Sequence, residues 1–387
     1  MFCLESCWAS LCWFLKSMLL MRICSAVLCG TAFCLPCLAT EWGVLPYPRN
    51  PLDGKQSDLV EAIEKVKAIS APVNVTLLGW HDLEPAKETY DIKGRLGGFG
   101  YAVKQGMIPY FGVSVINTVK RDMPDDLLGA AWSDPRILVR FSKLLEAAAK
   151  ELPRDLPYFV LGNEVDSYFE KHPDEVDSYL AFYRKARSLV KLRYPRAKVG
   201  MSVTFEGMRK ASHRAVIAKA IQASDAAIFT FYPIFDLKPT PPAETPALLD
   251  QLVAAAQNKD VLLQEVGYSS GKAIGSSEAM QAEFFRLIIP AIKARPQIKL
   301  ASIFALYDFD PKVCDMLTNY YGMNSWFVNG ATARGFLCTL GVNDATGRPK
   351  PAWYVIEKAL KPPLKPPLKQ PVEQTPIQSR TQQLKQQ

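Results

Sequence analysis

Eight short apolar runs recur along the chain, each separated from the next by a longer amphipathic stretch. No other property constrains the fold as strongly. The runs cover residues 42–46, 73–79, 108–113, 158–161, 198–202, 226–231, 261–264 and 300–306. The stretches between and after them, 57–69, 95–105, 135–150, 173–194, 213–222, 246–257, 276–294 and 350–361, carry helical periodicity. Several open on start signals: Ser57-Asp58, Ser133-Asp134-Pro135, Thr245-Pro246 and Ser276-Ser277-Glu278 place capping side chains or Pro in a first turn. A parallel strand covered on both faces reads as a nearly continuous apolar run. Strict alternation of such strands with helices predicts the α/β class and a parallel sheet closed into a single-domain (β/α)8 TIM barrel. An open doubly wound sheet is the alternative, and it places a Gly-rich phosphate loop after its first strand. Here that place reads Pro46-Tyr-Pro-Arg-Asn-Pro51, which cannot cradle a phosphate.

The ends of the chain differ from its middle. Seven of nine cysteines, Cys3, Cys7, Cys12, Cys24, Cys29, Cys34 and Cys37, crowd the first 37 residues, in apolar sequence with no histidine nearby. That setting does not suit a metal site. Met21-Arg22 followed by the apolar stretch 23–38 and small residues at Cys37 and Ala39 reads as a secretory signal cleaved before Thr40. An uncleaved anchor is the competing reading, although the stretch is shorter than the about 20 residues a spanning helix needs. The expected organisation is a signal over residues 1–39 (an over-extended start included), a barrel over 40–361, and a disordered Pro/Gln-rich tail over 362–387. The expected location is secreted or periplasmic, with no stable membrane association after cleavage. Export permits a disulfide, and Cys314 and Cys338 are either paired or two buried thiols. The formal charge is +8, but no Lys/Arg run is interleaved with aromatics, so nucleic acid is not an expected partner.

Two strings carry the chemistry. Tyr158-Phe-Val-Leu-Gly-Asn-Glu164 and Val261-Leu-Leu-Gln-Glu265 are buried strands that stop at a glutamate. The C-terminal ends of barrel strands form the active-site face. Two carboxyl groups converging there are the minimum equipment for cleaving a glycosidic bond. Asn163, beside Glu164, is placed to hold a sugar hydroxyl. Trp80, Tyr232, Tyr268 and Tyr307 fall at strand ends, and Trp132 and Trp326 in long loops, where ring faces can pack on pyranoses; a core role is the alternative for each. Trp353 opens a helix and reads as core. His81 reads as a hydrogen-bonded structural histidine. No histidine pair has metal spacing and no Gly-x-Ser-x-Gly elbow occurs, so neither metal nor cofactor is expected.

These residues resemble the retaining β-glycoside hydrolases with (β/α)8 barrels, the superfamily called clan A. There an Asn-Glu pair ends the fourth strand and a second Glu ends the seventh. The resemblance implies that Glu164 is the acid/base, Glu265 the nucleophile, and Tyr232 a donor to it. Trp80-His-Asp-Leu-Glu-Pro85 with Tyr90-Asp91, Phe231-Tyr-Pro233, and Gly347-Arg-Pro-Lys-Pro-Ala-Trp353 resemble further stretches of that group. The likeness spans about residues 42–360 and is nearest in flavour to the arabinogalactan endo-β-1,4-galactanases. The chain departs from the pattern in three places. Leu306-Tyr307-Asp308 stands where a Trp is common, the second strand lacks an Arg, and Ser114 and Asn117 replace a His. The expected function is an exported retaining hydrolase of a β-linked poly- or oligosaccharide. A non-catalytic carbohydrate-binding barrel and a hydrolase of a self-made exopolysaccharide are the alternatives.

Overall fold

A computed structural model describes residues 39–235, 238–323 and 330–361. Nine parallel strands line the barrel: β1 (Glu41–Val44), β2 (Val73–Gly79), β3 (Ile108–Asn117), β4 (Tyr158–Asn163), β5 (Lys198–Gly200), β6 (Ser202–Thr204), β7 (Ala227–Phe231), β8 (Val261–Val266) and β9 (Ile298–Ile303). They occupy eight positions, because β5 and β6 are two halves of one rung broken at Met201. The first half pairs with β4 and the second with β7, so the barrel closes through the chain itself. This is the expected TIM barrel.

The apolar runs divide by period two. Val73, Val75, Tyr110, Val160, Ile228, Leu262 and Leu300 fill the barrel interior. Their neighbours, such as Phe111, Phe159, Phe229 and Leu263, face outward into a second layer with helical side chains including Ile63, Phe141, Phe284 and Ile288. The outer helices include α1 (Gln56–Ala68), α2 (Gly97–Lys104), α3 (Pro135–Ala148), α4 (Val176–Arg193), α5 (Ala211–Ala223), α6 (Thr245–Ala255), α7 (Glu278–Lys293), α8 (Pro311–Tyr320), α9 (Gly330–Leu337) and α10 (Pro351–Leu360). Of the expected caps, Asp134 accepts from the Arg136 N–H and Ser277 from the Met280 N–H, whereas Lys55, not Ser57, precedes α1. Thr245 turns its hydroxyl to the Pro242 carbonyl. The last strand ends at Ile303, three residues short of the predicted 306.

β1 and β2 touch at a single register, Gly43 with Val73. A side chain at Gly43 would meet the Val73 carbonyl at 2.6 Å, so only glycine permits this approach. Beyond it β1 leans toward β9, where the Leu45 N–H donates to the Ile303 carbonyl at 2.9 Å. Pro46 and Pro48 then offer no N–H to a ladder. β2 instead pairs with β3 over its whole length.

The Trp80-to-Pro85 motif is a structural clamp. Glu84 is fully buried and Arg140 is 4% exposed. The Glu84 carboxylate accepts from Trp80 Nε1 at 2.7 Å, the Glu88 N–H at 2.7 Å and Arg140 Nε at 2.8 Å. Trp80 itself is fully buried against Phe141, so its ring is not free to meet a sugar, contrary to the sequence expectation. Removing one partner of a buried ion pair strands the other charge. Arg140→Met is therefore expected to lower the free energy of urea unfolding by about 3–5 kcal/mol. The double variant Glu84→Leu/Arg140→Met should lose less than Arg140→Met alone.

Cys314 and Cys338 form a disulfide with Cα atoms 5.6 Å apart, joining α8 to the residue that follows α9. The proposed signal, the tail and Trp326 lie outside the described residues. No helix among the described residues is long and apolar enough to cross a membrane.

Candidate active site

Strand alternation should turn adjacent residues to opposite faces, yet the mouth of this barrel gathers adjacent polar residues three times. At the end of β4, Gly162 has φ 98° and Glu164 φ 49°. A Cβ at Gly162 would meet the Tyr179 hydroxyl at 2.5 Å, so the kink needs glycine. It lets both Asn163 and Glu164 reach the mouth. On β8 the pairing register slips around Gln264 against both neighbouring strands, and this bulge brings Gln264 and Glu265 to the same cavity. At the end of β3 the register slips before Asn117, and Thr118 takes φ 53°. A non-glycine residue in the left-handed region costs roughly 1–2 kcal/mol, and such outliers cluster at functional sites.

These kinks converge on one network. Asn163 Oδ1 accepts from Ser202 Oγ and from Gln264 Nε2, each at 2.8 Å, and its Nδ2 donates to Asn117 Oδ1 at 3.2 Å. Three of the bonds Asn163 can make are thus taken within the protein, leaving one Nδ2 hydrogen for a ligand. Gln264 Oε1 accepts from the Tyr110 hydroxyl at 3.0 Å, which fixes the amide. The Tyr232 hydroxyl donates to Glu265 Oε2 at 2.5 Å, and Gln264 Nε2 approaches Oε1 at 3.5 Å. Glu164 accepts from Thr230 Oγ1 at 2.7 Å and from Thr118 Oγ1 at 2.8 Å.

The two carboxyl groups are electrostatically linked. Burial pushes the Glu164 pKa up to about 8, and the Glu265 charge pushes in the same direction. Burial also raises Glu265, but the Tyr232 and Gln264 donors oppose that rise. A charge on Glu265 thus favours the protonated form of Glu164, while the two donors favour the ionised form of Glu265. A protonated acid beside an ionised carboxylate is the pairing that acid-assisted nucleophilic displacement at a saturated centre needs.

The other expected aromatics lie elsewhere. Tyr268 is buried, stacks on Phe284 and donates its hydroxyl to the Thr240 carbonyl. Tyr307 is buried beneath the ammonium of Lys65, 5.3 Å from its ring centre, and packs in the outer core. The strand ends before it, and Phe304 takes the place expected of Tyr307 on the wall of the mouth. Trp132 is buried against Tyr179 and donates to Glu175. Trp353 is core, and His81 is hydrogen-bonded to Asp122, both as expected. Sequence reading missed Thr118, Thr230, Gln264, Phe304 and Tyr321. Thr230 had a signal: it is the polar member of the apolar run Ala227-Ile-Phe-Thr-Phe231. Tyr321 follows α8 and lines the mouth with Glu265, and desolvation and both glutamates raise its pKa. Among the described residues, no group of His, Cys, Asp and Glu could hold a metal ion.

No family profile matches the sequence, and no curated protein matches it. Solved structures do match its fold. A single-substitution form of GH5_18 from Streptomyces cattleya in complex with Manb1-4GlcNAc aligns over 83% of this chain and 80% of its own, with 16% identity and a TM-score of 0.65. Exo-beta-1,4-mannosidase Op5Man5 from Opitutaceae bacterium strain TAV5 aligns over 83% and 58%, with 18% identity and a TM-score of 0.60. Xylanase 10B from Thermotoga maritima aligns over 84% and 95%, with 14% identity and a TM-score of 0.56. These structural neighbours are clan A glycoside hydrolases, the superfamily the motifs resemble, and the chain shares their barrel. None of the three names speaks of a galactanase, so the finer likeness gains no support.

Proposed function

We propose that this chain is a retaining β-glycoside hydrolase acting on a β-linked poly- or oligosaccharide. The observation that carries the reading is the arrangement at the barrel mouth, where Tyr232 donates to Glu265, Thr118 and Thr230 donate to Glu164, and the Glu265 charge raises the Glu164 pKa. Glu265 attacks the anomeric carbon while Glu164 protonates the leaving oxygen. Glu164 then takes a proton from the water that releases the glycosyl-enzyme. The neighbours' ligand Manb1-4GlcNAc and the mannosidase activity in a second neighbour's name make β-mannosides the first substrates to try. The test is a screen of β-1,4-mannans, xylans, galactans and aryl β-glycosides, with NMR of the first-formed anomer. Retention of the β-configuration supports double displacement; an inverted product or no hydrolysis rejects it.

The pH dependence follows from the directions above. Glu164 acts in its protonated form and loses its proton near pH 8. kcat/KM for substrates with poor leaving groups is therefore expected to fall above about pH 8. The acid limb belongs to protonation of Glu265, and Tyr232→Phe, which removes a donor to its carboxylate, should move that limb to higher pH. An unshifted limb in this variant counts against Glu265 as the ionised partner.

Export belongs to the same proposal. It rests on the apolar stretch 23–38 and its small-residue end. N-terminal sequencing of the mature protein should find Thr40 or Glu41 first.

A further inference from the structure

The cavity at Glu265 does not end at the barrel mouth. It encloses about 520 Å³, within the range of small-molecule sites. Its walls include Glu265, Asn163 and Asn117, and also Leu59 and Ile63 of α1 and Phe99 and Ala102 of α2. Those helices lie outside the barrel. The cavity therefore passes from Glu265 across the strand wall into the helical layer. The place of passage is the divergence of β1 from β2 beyond Gly43 and Val73. An independent observation marks the same opening. Thr76, Leu77 and Leu78 are consecutive residues of a central strand, so they face both sides of the sheet, yet all three are only partly buried.

The two ends of this cavity differ chemically. Near Glu265 it is lined by amides and hydroxyls: Asn117, Asn163, Gln264, Ser114 and Ser302. Toward the helices it is lined mainly by the aliphatic and aromatic side chains of Leu59, Ile63, Leu78, Phe99 and Ala102. Asn74 also lines it and spends a donor on Thr76 at 3.4 Å. Arg95 lines it too, with its guanidinium engaged by Asp82 and Asp91. A pyranose seated in the helical lobe would bury hydroxyls against hydrocarbon, which is unfavourable without partners. A hydrocarbon there would lose nothing and gain burial.

Resting on the glycosidase reading of this site, we infer that the substrate is an amphiphilic β-glycoside whose aliphatic chain enters the lobe between β2, α1 and α2. The cavity is lined by Glu265 but not by Glu164, and the leaving oxygen must face Glu164. The chain therefore rides on the sugar that is transferred to Glu265, as an acyl or alkyl substituent of the glycone.

Two substrate series test this with the full-length protein, below micelle-forming concentrations. One carries O-acyl chains of increasing length on the glycone of an aryl β-glycoside; the other carries alkyl chains on the leaving oxygen. In the glycone series KM is expected to fall about fourfold per methylene, about 250-fold over the four methylenes from butanoyl to octanoyl. The leaving-group series should be flat. Leu59→Glu, which puts a carboxylate into the lobe, should flatten the glycone slope, and Ala102→Phe, which fills the lobe, should do the same if Leu59→Glu does not fold. Turnover of the unsubstituted aryl glycoside with no slope in either series overturns the lobe while leaving the hydrolase reading intact. A slope confined to the leaving-group series overturns the orientation. If no aryl glycoside is turned over, the hydrolase reading fails first. The lobe is then tested by thermal shift: greater stabilisation by the octanoyl than by the acetyl ester supports it, and equal effects overturn it.

Discussion

Replacing Glu265 by alanine is expected to lower turnover of aryl β-glycosides by at least about 10⁴-fold, the scale on which loss of a covalent nucleophile acts. The variant keeps the sugar site but has nothing to form the glycosyl-enzyme. It also vacates space on the face of the anomeric carbon opposite the leaving group. Azide is small and anionic, and fits where the carboxylate stood. Added azide should therefore restore turnover and give a glycosyl azide of inverted configuration, because one displacement replaces two. The barrel should tolerate the change, since Glu265 is partly exposed at the mouth and its loss leaves Tyr232 only one partner short. Mass spectrometry of the azide product decides the matter. Rescue that gives a retained product, or rescue of the Glu164 variant alone, would falsify the assignment.

Glu164→Ala is expected to give the second large effect, and one that depends on substrate. A leaving group with a high pKa needs the proton that Glu164 supplies, and general acid catalysis contributes about 10²–10⁴-fold. Natural glycosides should lose turnover on that scale. A dinitrophenyl glycoside leaves without protonation, so its glycosylation step should be nearly spared. The basic limb near pH 8 should vanish with the acid that causes it. A leaving-group plot that keeps the same slope in the variant and the parent protein rules out Glu164 as the acid.

The fold was largely legible because burial on two faces writes itself as continuous apolar runs, from Val73 to Gly79 and from Val261 to Leu263. What escaped were the places where backbone geometry departs from the strand rhythm. The break at Met201 falls inside one predicted strand, 198–202. Its residues are equally apolar on either side, so nothing in the run shows the change of partner from β4 to β7. The meeting of Glu164, Glu265, Asn163 and Tyr232 at one end of the barrel was legible, since a polar residue ending an apolar run is unusual. Thr118 was not: its role comes from a left-handed turn past the end of β3, and no local pattern announces it. Trp80 and Tyr307 went the other way. An aromatic near a strand end reads the same whether it faces the mouth or, as here, the helical layer.

The three kinks at the mouth bear on how such a site can evolve. The aim of Glu164, Glu265 and Thr118 is set by two left-handed residues and a bulge, not by which apolar residue lies beneath each. Mutations that exchange one aliphatic residue for another in the strands leave the carboxyl groups where they are. Drift in the wall is thus uncoupled from the aim of the carboxyl groups, and barrels with 14–18% identity keep the same fold. An insertion or deletion of one residue at any of the three kinks has no such latitude, because it turns Glu164, Glu265 or Thr118, the hydroxyl donor to Glu164, out of the mouth. Divergence in this lineage should therefore be written in substitutions along the strands and in length changes after the kinks, with the kinks themselves fixed in length.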